Sequence, residues 1–247
     1  MHKDKKAVIG IISVEGDETH VTEEEFRLAL SDHVEIVMAY APLEKVSYNG
    51  LMAFLDKLPG AVDEFADHDP DIIIVASMTG SAVRGYEIVN MLEQRSGRPV
   101  IVPALEMKKF LKTFNLRRIA VVSAFGVELN LLEQLFFCNH DIEVINLINI
   151  YDERTSEDRM KISQIDCELI LRKVKEADFG SVEAVVFDSP TYNLRPIIGE
   201  LMELIKVPIL SVNQILLYSV LKRLHLPTEQ AADLSVFLGN CETSSKS

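Results

Sequence analysis

Asp71-Ile72-Ile73-Ile74-Val75-Ala76-Ser77 reads as an acid, a run of β-branched residues with no polar alternation, and a small hydroxyl residue at the end. Such a run predicts a strand covered on both faces, as in a parallel sheet. The pattern returns as Glu183-Ala184-Val185-Val186-Phe187-Asp188-Ser189. Three other segments repeat at nearly the same spacing. Ile9–Ser13 matches Ile119–Ser123, His33–Val37 matches Asp141–Ile145, and Arg98–Val102 matches Val207–Ser211, at offsets of 108–112 residues. Each pair is weak alone, but four at one offset indicate a duplicated unit.

Outward from these segments, strands are predicted at Ala7–Ser13, Val34–Tyr40, Ile72–Ala76, Val100–Val102, Arg118–Ser123, Ile142–Asn149, Ala184–Phe187 and Pro208–Ser211. Helices are predicted near 22–31, 48–67, 82–96, 104–115, 127–138, 162–176, 195–205 and 213–224. Thr22-Glu23-Glu24-Glu25 reads as a capping box opening the first helix. Asn130 sits inside an apolar stretch and starts nothing. Tyr151–Asp158 reads as a surface loop, residues 228–238 as a last helix capped by Thr228, and Cys241–Ser247 as a frayed tail. Strand–helix alternation marks an α/β protein. The expected architecture is two pseudo-symmetric, doubly wound halves with parallel sheets, facing each other across an interdomain cleft. One lobe would be residues 1–115 with the C-terminal helices 213–247, the other residues 116–212.

Composition excludes several function classes. The chain has 247 residues, 48% of them apolar, so global disorder is out. Its net charge of −13 argues against nucleic acid and against an anionic membrane surface. No apolar run approaches the ~18 residues of a spanning helix. The first apolar stretch, Ala7–Val14, is broken by Gly10 and reads as a strand, not a signal peptide. Cys138, Cys167 and Cys241 form no C-x-x-C and read as structural thiols of a reducing, cytoplasmic compartment. Glu15, Asp17 and His20 match no metal motif, and no G-x-G-x-x-G follows a strand, so neither metal nor cofactor is expected. Asp178-Phe179-Gly180 stands without a glycine-rich loop or H-R-D and reads as a turn. The apolar helix near 213–224 suits a core position better than a subunit contact, which leaves a homo-oligomer open.

In open α/β sheets, ligands bind beyond the carboxyl ends of the strands. That selects Val14–Thr19, Ser77–Ser81, Ser123–Gly126 and Asp188–Asn193. Ser77-Met78-Thr79-Gly80-Ser81 leads from a buried strand into a helix, where small residues leave backbone N–H groups open to a carboxylate. Arg84 follows, as a contact or a plain surface charge. Asp188-Ser189-Pro190-Thr191-Tyr192 is the equivalent turn, with one donor fewer because Pro190 has no N–H. The plainer reading of both turns is a strand-to-helix connection with a serine N-cap.

These segments resemble the aspartate/glutamate racemase superfamily, in its maleate isomerase and arylmalonate decarboxylase branch, over roughly residues 7 to 225. The carriers are Ile9–Glu25, Tyr40-Ala41-Pro42-Leu43 with Val46, Pro70-Asp71 into Ala76–Ser81 with Arg84-Gly85, Arg118–Phe125, Leu194-Arg195, and Val207-Pro208 through Ser211–Gln214. The resemblance implies one cysteine per half, both used by two-base isomerases and only the second kept by decarboxylases. Ser77 falls at the first cysteine position and Ser189 at the second. Glu18 falls at an asparagine that contacts the substrate carboxylate, and Phe125 at a tyrosine.

A thiol has a pKa near 8.5, whereas an alcohol needs an adjacent base to take a proton. Carboxylates are then the candidates for proton transfer, Asp188 first and Glu18 second. The expected catalytic set is Ser77, Ser189 and Asp188, with Ser189 and Asp188 facing the reacting carbon. The expected substrate contacts are Glu18, Met78, Thr79, Gly80, Ser81, Phe125, Thr191 and Tyr192. An acid in place of asparagine points to a substrate less anionic than a dicarboxylate, such as one bearing an amine. The implied function is cofactor-independent racemisation, isomerisation or decarboxylation of a small carboxylate or related carbonyl compound. The alternative is a catalytically silent relative that binds a small metabolite or a protein partner.

Overall fold

Strand formation follows the β-branched runs closely. In a computed structural model that describes residues 6–14, 20–30, 34–152 and 154–226, the strands are β1 (Ala7–Val14), β2 (Val34–Ala41), β3 (Ile72–Val75), β4 (Val100–Ile101), β5 (Arg118–Ser123), β6 (Glu143–Asn149), β7 (Ala184–Phe187) and β8 (Ile209–Ser211). They form two parallel four-stranded sheets, ordered β2-β1-β3-β4 and β6-β5-β7-β8.

The sequence repeat carries through to the register. Ile9 lies opposite Ile36 and Ile72, and Ile119 opposite Val144 and Ala184, the residues the repeat equates with them. Ile73 pairs with Val100 and Val185 with Ile209 in the same relation. The acid that opens each central run has one job in both halves. Asp71 Oδ2 accepts from the Val8 amide at 2.8 Å. Glu183 Oε2 accepts from the Arg117 and Arg118 amides at 2.6 and 3.0 Å. Each carboxylate satisfies amides at the start of the neighbouring strand. The absence of polar alternation is explained by packing on both faces. Ile73 and Val75 join one apolar cluster and Ile72 and Ile74 the other, and each cluster continues into the second sheet.

The helices are α1 (Val21–Leu30), α2 (Tyr48–Leu55), α3 (Leu58–Asp63), α4 (Met78–Ser96), α5 (Pro103–Thr113), α6 (Val127–Cys138), α7 (Arg159–Ser163), α8 (Cys167–Glu176), α9 (Ile198–Leu204) and α10 (Val212–Arg223). Several boundaries differ from expectation for local reasons. The stretch 48–67 splits because Pro59 suits only the first turn of α3. The stretch 162–176 splits because Asp166 caps α8, accepting from the Glu168 amide. The stretch 195–205 opens as a 3₁₀ turn, Arg195–Ile197, around Pro196. Helix α1 starts one residue early, so Thr22 does not cap it. Its hydroxyl is buried and bonds Asn213 Oδ1 at 3.1 Å and the Pro190 carbonyl at 3.4 Å, joining α1 to α10 and to the turn after β7.

Helix α10 packs against α5 and α1, with Ile215, Leu216 and Val220 fully buried, so it is a core helix of this chain. Glu106 of α5 fastens it, accepting from Ser219 Oγ at 2.9 Å and Arg223 Nη2 at 2.6 Å. Cys138 is exposed rather than buried, and Cys167 is half-buried with its Sγ on the Asn193 carbonyl. Glu15, Asp17, Glu18, Cys241 and the helix expected over 228–238 lie outside the described residues. Among the described residues, no helix is long and apolar enough to cross a membrane.

A small stability prediction arises here. Gly60 lies inside α3 with open space where a Cβ would stand. Gly60→Ala should therefore add about 0.5–1 kcal/mol through the lower entropy of the unfolded chain, read from urea unfolding.

Candidate active site

A cavity of about 80 Å³ opens where the carboxyl ends of both sheets meet. Ser77, Met78 and Thr79 wall it after β3, and Ser189, Pro190 and Thr191 after β7. Leu43, Val46, Ser47 and Leu51 close one side, and Phe125, Leu129, Ile162 and Ser163 the other. The second side reaches the first through a surface connection. Glu157 pairs with Lys45 at 2.5 Å, and its carbonyl accepts from the Val46 amide at 3.4 Å. Among the described residues the lining carries no charge. It is an apolar enclosure whose polar groups are hydroxyls and backbone amides.

The first wall offers free donors. Helix α4 begins at Met78, four residues before the expected start, so the turn is the helix's own first turn. The Met78, Thr79 and Gly80 amides have no backbone acceptor, as helix geometry dictates. The Ser77 hydroxyl makes no capping bond. Gly80 leaves room for it, since a Cβ there would lie 2.6 Å from Ser77 Oγ. Ser81 is turned away. Its hydroxyl donates to the Met78 carbonyl at 2.9 Å and accepts from the Ala104 amide at 2.9 Å, tying α4 to α5.

The second wall is internally satisfied. Thr191 Oγ1 donates to the Ile162 carbonyl at 3.1 Å, which directs the Ser189 hydroxyl proton onto Thr191 Oγ1 at 2.8 Å. The Thr191 amide donates back to Ser189 Oγ, and the Tyr192 amide to the Ser189 carbonyl. The Pro190 carbonyl is held by Asn213 Nδ2 at 2.8 Å. The two serines share one cavity, but only Ser77 presents an uncommitted hydroxyl.

Behind this wall lies a pair of buried carboxyls. Asp188 is completely buried, and Glu133 of α6 nearly so. They lie against each other, and Glu133 Oε2 and Asp188 Oδ2 are buried with no hydrogen-bond partner unless one carboxyl keeps a proton and shares it with the other. Thr79 donates to Glu133 Oε1 in a short hydrogen bond. Tyr192, also buried, donates to Asp188 Oδ1 at 3.3 Å, and Ser123 lies beside the same carboxylate but gives its proton to Asn130 Oδ1. Ser123 is itself held by Asn130, 2.6 Å away, and Asn130 Nδ2 donates to the Phe125 carbonyl and Asn149 Oδ1.

Loss of water pushes both acids up. Asp188 rises to about 7, restrained by the polar neighbours Ser123, Tyr192 and Glu133. Glu133 is raised well above the usual carboxylate range too, by burial first and then by the Asp188 charge. Burial and the same charge raise Tyr192. The interaction raises Glu133 and lowers Asp188, so a proton shared by the pair belongs to Glu133 and points toward Asp188.

No family model matches the chain, and no curated protein matches it in sequence. Solved structures do match it along most of its length. Nocardia farcinica maleate cis-trans isomerase superposes with a TM-score of 0.80 at 20% identity, covering 90% of this chain and 93% of its own. Maleate isomerase from Pseudomonas putida S16, in a cysteine-to-alanine variant with maleate, gives 0.77 at 17% identity, covering 91% and 94%. Arylmalonate decarboxylase gives 0.69 at 13% identity, covering 87% and 91%. The chain has the maleate isomerase fold. The Nocardia enzyme has also been captured, in a cysteine-to-serine variant, with a covalently bound succinylcysteine intermediate.

On this maleate isomerase fold, Ser77, Met78, Thr79, Phe125, Ser189 and Thr191 reach the cavity, whereas Gly80 and Ser81 do not. Asp188, expected to face the reacting carbon, and Tyr192, expected to touch substrate, are both sealed behind the wall. The reason is the inward turn of the chain after β7, where Pro190 rather than Asp188 is presented to the cavity. Glu133 and Asn130 were missed in sequence. They carried a readable signal. Asn130, Glu133, Phe136 and Phe137 share the buried face of α6, while Val127, Leu131 and Leu135 point outward. An acid and an amide on the inner face of a helix that turns Leu131 and Leu135 to water mark a polar site. Among the described residues, no three His, Cys, Asp or Glu side chains converge as a metal would require.

Proposed function

We propose that the chain is a member of the maleate isomerase and arylmalonate decarboxylase branch carrying serine at both cysteine positions. It acts without a cofactor on a small carboxylate with an apolar body, by moving a proton at the carbon next to the carboxylate or by decarboxylation. The observation that carries this reading is the shared cavity, uncharged and hydroxyl-lined, with the open amides of α4 on one wall. A helix N-terminus with unpaired N–H groups suits one carboxylate or enolate oxygen. A dicarboxylate would need a cation that the described lining lacks. In this reading residues 1–115 with the C-terminal residues 213–247 form one lobe and residues 116–212 the other.

The committed hydroxyl of Ser189 favours a second reading, a relative that holds a metabolite without turning it over. One assay separates them. The protein is incubated in D₂O with 2-phenylpropionate, phenylmalonate and maleate, and proton NMR follows loss of the α-proton, of carbon dioxide or of cis geometry. Turnover of an aryl-bearing acid, lost in Ser77→Ala, supports the enzyme. A ligand-dependent rise in the unfolding midpoint without turnover identifies the binder. Turnover undiminished in both Ser77→Ala and Ser189→Ala removes the reaction from this cavity.

A further inference from the structure

We propose that Thr79, Glu133 and Asp188 form a proton relay that connects the cavity to a buried base, with Thr79 the group that meets substrate and Glu133 a positioning residue that passes the proton on. The inference rests on the reading of the cavity as a site of proton transfer and names the residues that perform it.

The geometry supplies each link. Thr79 is on the cavity wall, and its hydroxyl donates to Glu133 Oε1, which leaves its oxygen lone pairs free to accept. Glu133 lies against Asp188, and both side chains are buried behind the cavity wall. Among the described residues, the groups facing the pair are Thr79 from α4, Ser123 at the end of β5, and Tyr192 after β7. None of them is cationic, so the pair holds its charge as a base rather than as half of an ion pair. An alcohol alone is too weak a proton acceptor, and the adjacent base it requires is here.

The step balances. The substrate C–H bond breaks and its proton goes to Thr79 Oγ1. The original Thr79 proton passes to Glu133 Oε1, and the Glu133 proton passes to Asp188. The electron pair stays on the substrate as an enolate, whose oxygen the Met78 and Thr79 amides can hold. Return of the proton to carbon runs the chain in reverse, with no oxidant or reductant.

The test uses the full chain and deuterium exchange into 2-phenylpropionate. Exchange in the wild type should rise with pH to a plateau, half-reached near pH 7 where Asp188 loses its proton. Thr79→Val and Glu133→Gln should each slow exchange by about 10²-fold or more, the usual scale of acid–base catalysis. Thr79→Ser, which restores the hydroxyl, should recover most of that loss. In resting protein, infrared spectra should show a protonated buried carboxyl that Glu133→Gln removes. Exchange in Thr79→Val close to wild type, with the same pH midpoint, overturns the relay and leaves the enzyme reading standing. Absence of any exchange or turnover by the wild type overturns that reading, and the relay with it.

Discussion

Asp188→Asn is expected to stabilise the protein at pH 8 and to abolish its proton chemistry. The stability argument is a linkage argument. An aspartate in the unfolded chain titrates near 3.8, and in the fold at about 7. Below the first value both states are protonated and the buried group exacts nothing. As pH rises from about 4 to about 7 the unfolded chain loses a proton that the folded chain retains. Stability therefore falls through that window, and above it the full penalty is present. At ~1.4 kcal/mol per pH unit the gap amounts to about 4 kcal/mol. Asparagine can still accept from Tyr192 through Oδ1 and donate from Nδ2 toward Glu133, and it never has to ionise. The unfolding midpoint of Asp188→Asn should exceed that of wild type at pH 8, by about 2–4 °C for each kcal/mol recovered, and the difference should vanish near pH 4. Thermal scans at those two values check it. A gain in stability from deleting a functional group is the mark of a site held at the expense of the fold.

The second large effect is a loss. Gly50 sits in the first turn of α2, where alanine normally improves a helix by about 1 kcal/mol. Here a Cβ would stand 2.0 Å from the Lys45 carbonyl oxygen, which is backbone and cannot rotate aside. Gly50→Ala must push residues 45–47 outward, against the Ser47 cap that accepts from the Gly50 amide and against the Lys45–Glu157 pair. The expected result is a loss of about 3 kcal/mol, at the upper end for overpacking, and an opposite sign to Gly60→Ala. Since Leu43, Val46 and Ser47 wall the cavity, ligand affinity should fall with it. Urea unfolding of the two glycine variants side by side gives the comparison directly.

The duplicated fold was legible because its signal is local and doubled. Four β-branched residues in a row cannot leave a face to solvent, and the spacing between copies set even the strand register. The cavity was legible through topology, as strand ends after β3 and β7 must converge when two such sheets face each other. The depth of each residue was not. Asp188 and Tyr192 lie in the right turn, yet the path of the chain through Pro190 buries both. Thr22 looked like a cap because Glu25 follows at capping-box spacing, but its partner is Asn213, far away in sequence. Glu133 is one charge in an apolar helix. Its role depends on Thr79 and Asp188, brought to it by tertiary packing. Pair interactions across the two halves are the part of a site that one-dimensional patterns do not contain.

The most direct test of the account is a crystal structure of the protein with 2-phenylpropionate. The account predicts the carboxylate within about 3 Å of the Ser77 hydroxyl and the Thr79 amide, the aryl ring against Phe125 and Leu129, and the α-carbon beside Thr79 Oγ1. A ligand bound elsewhere, or a carboxylate turned away from Ser77 and the start of α4, would contradict it.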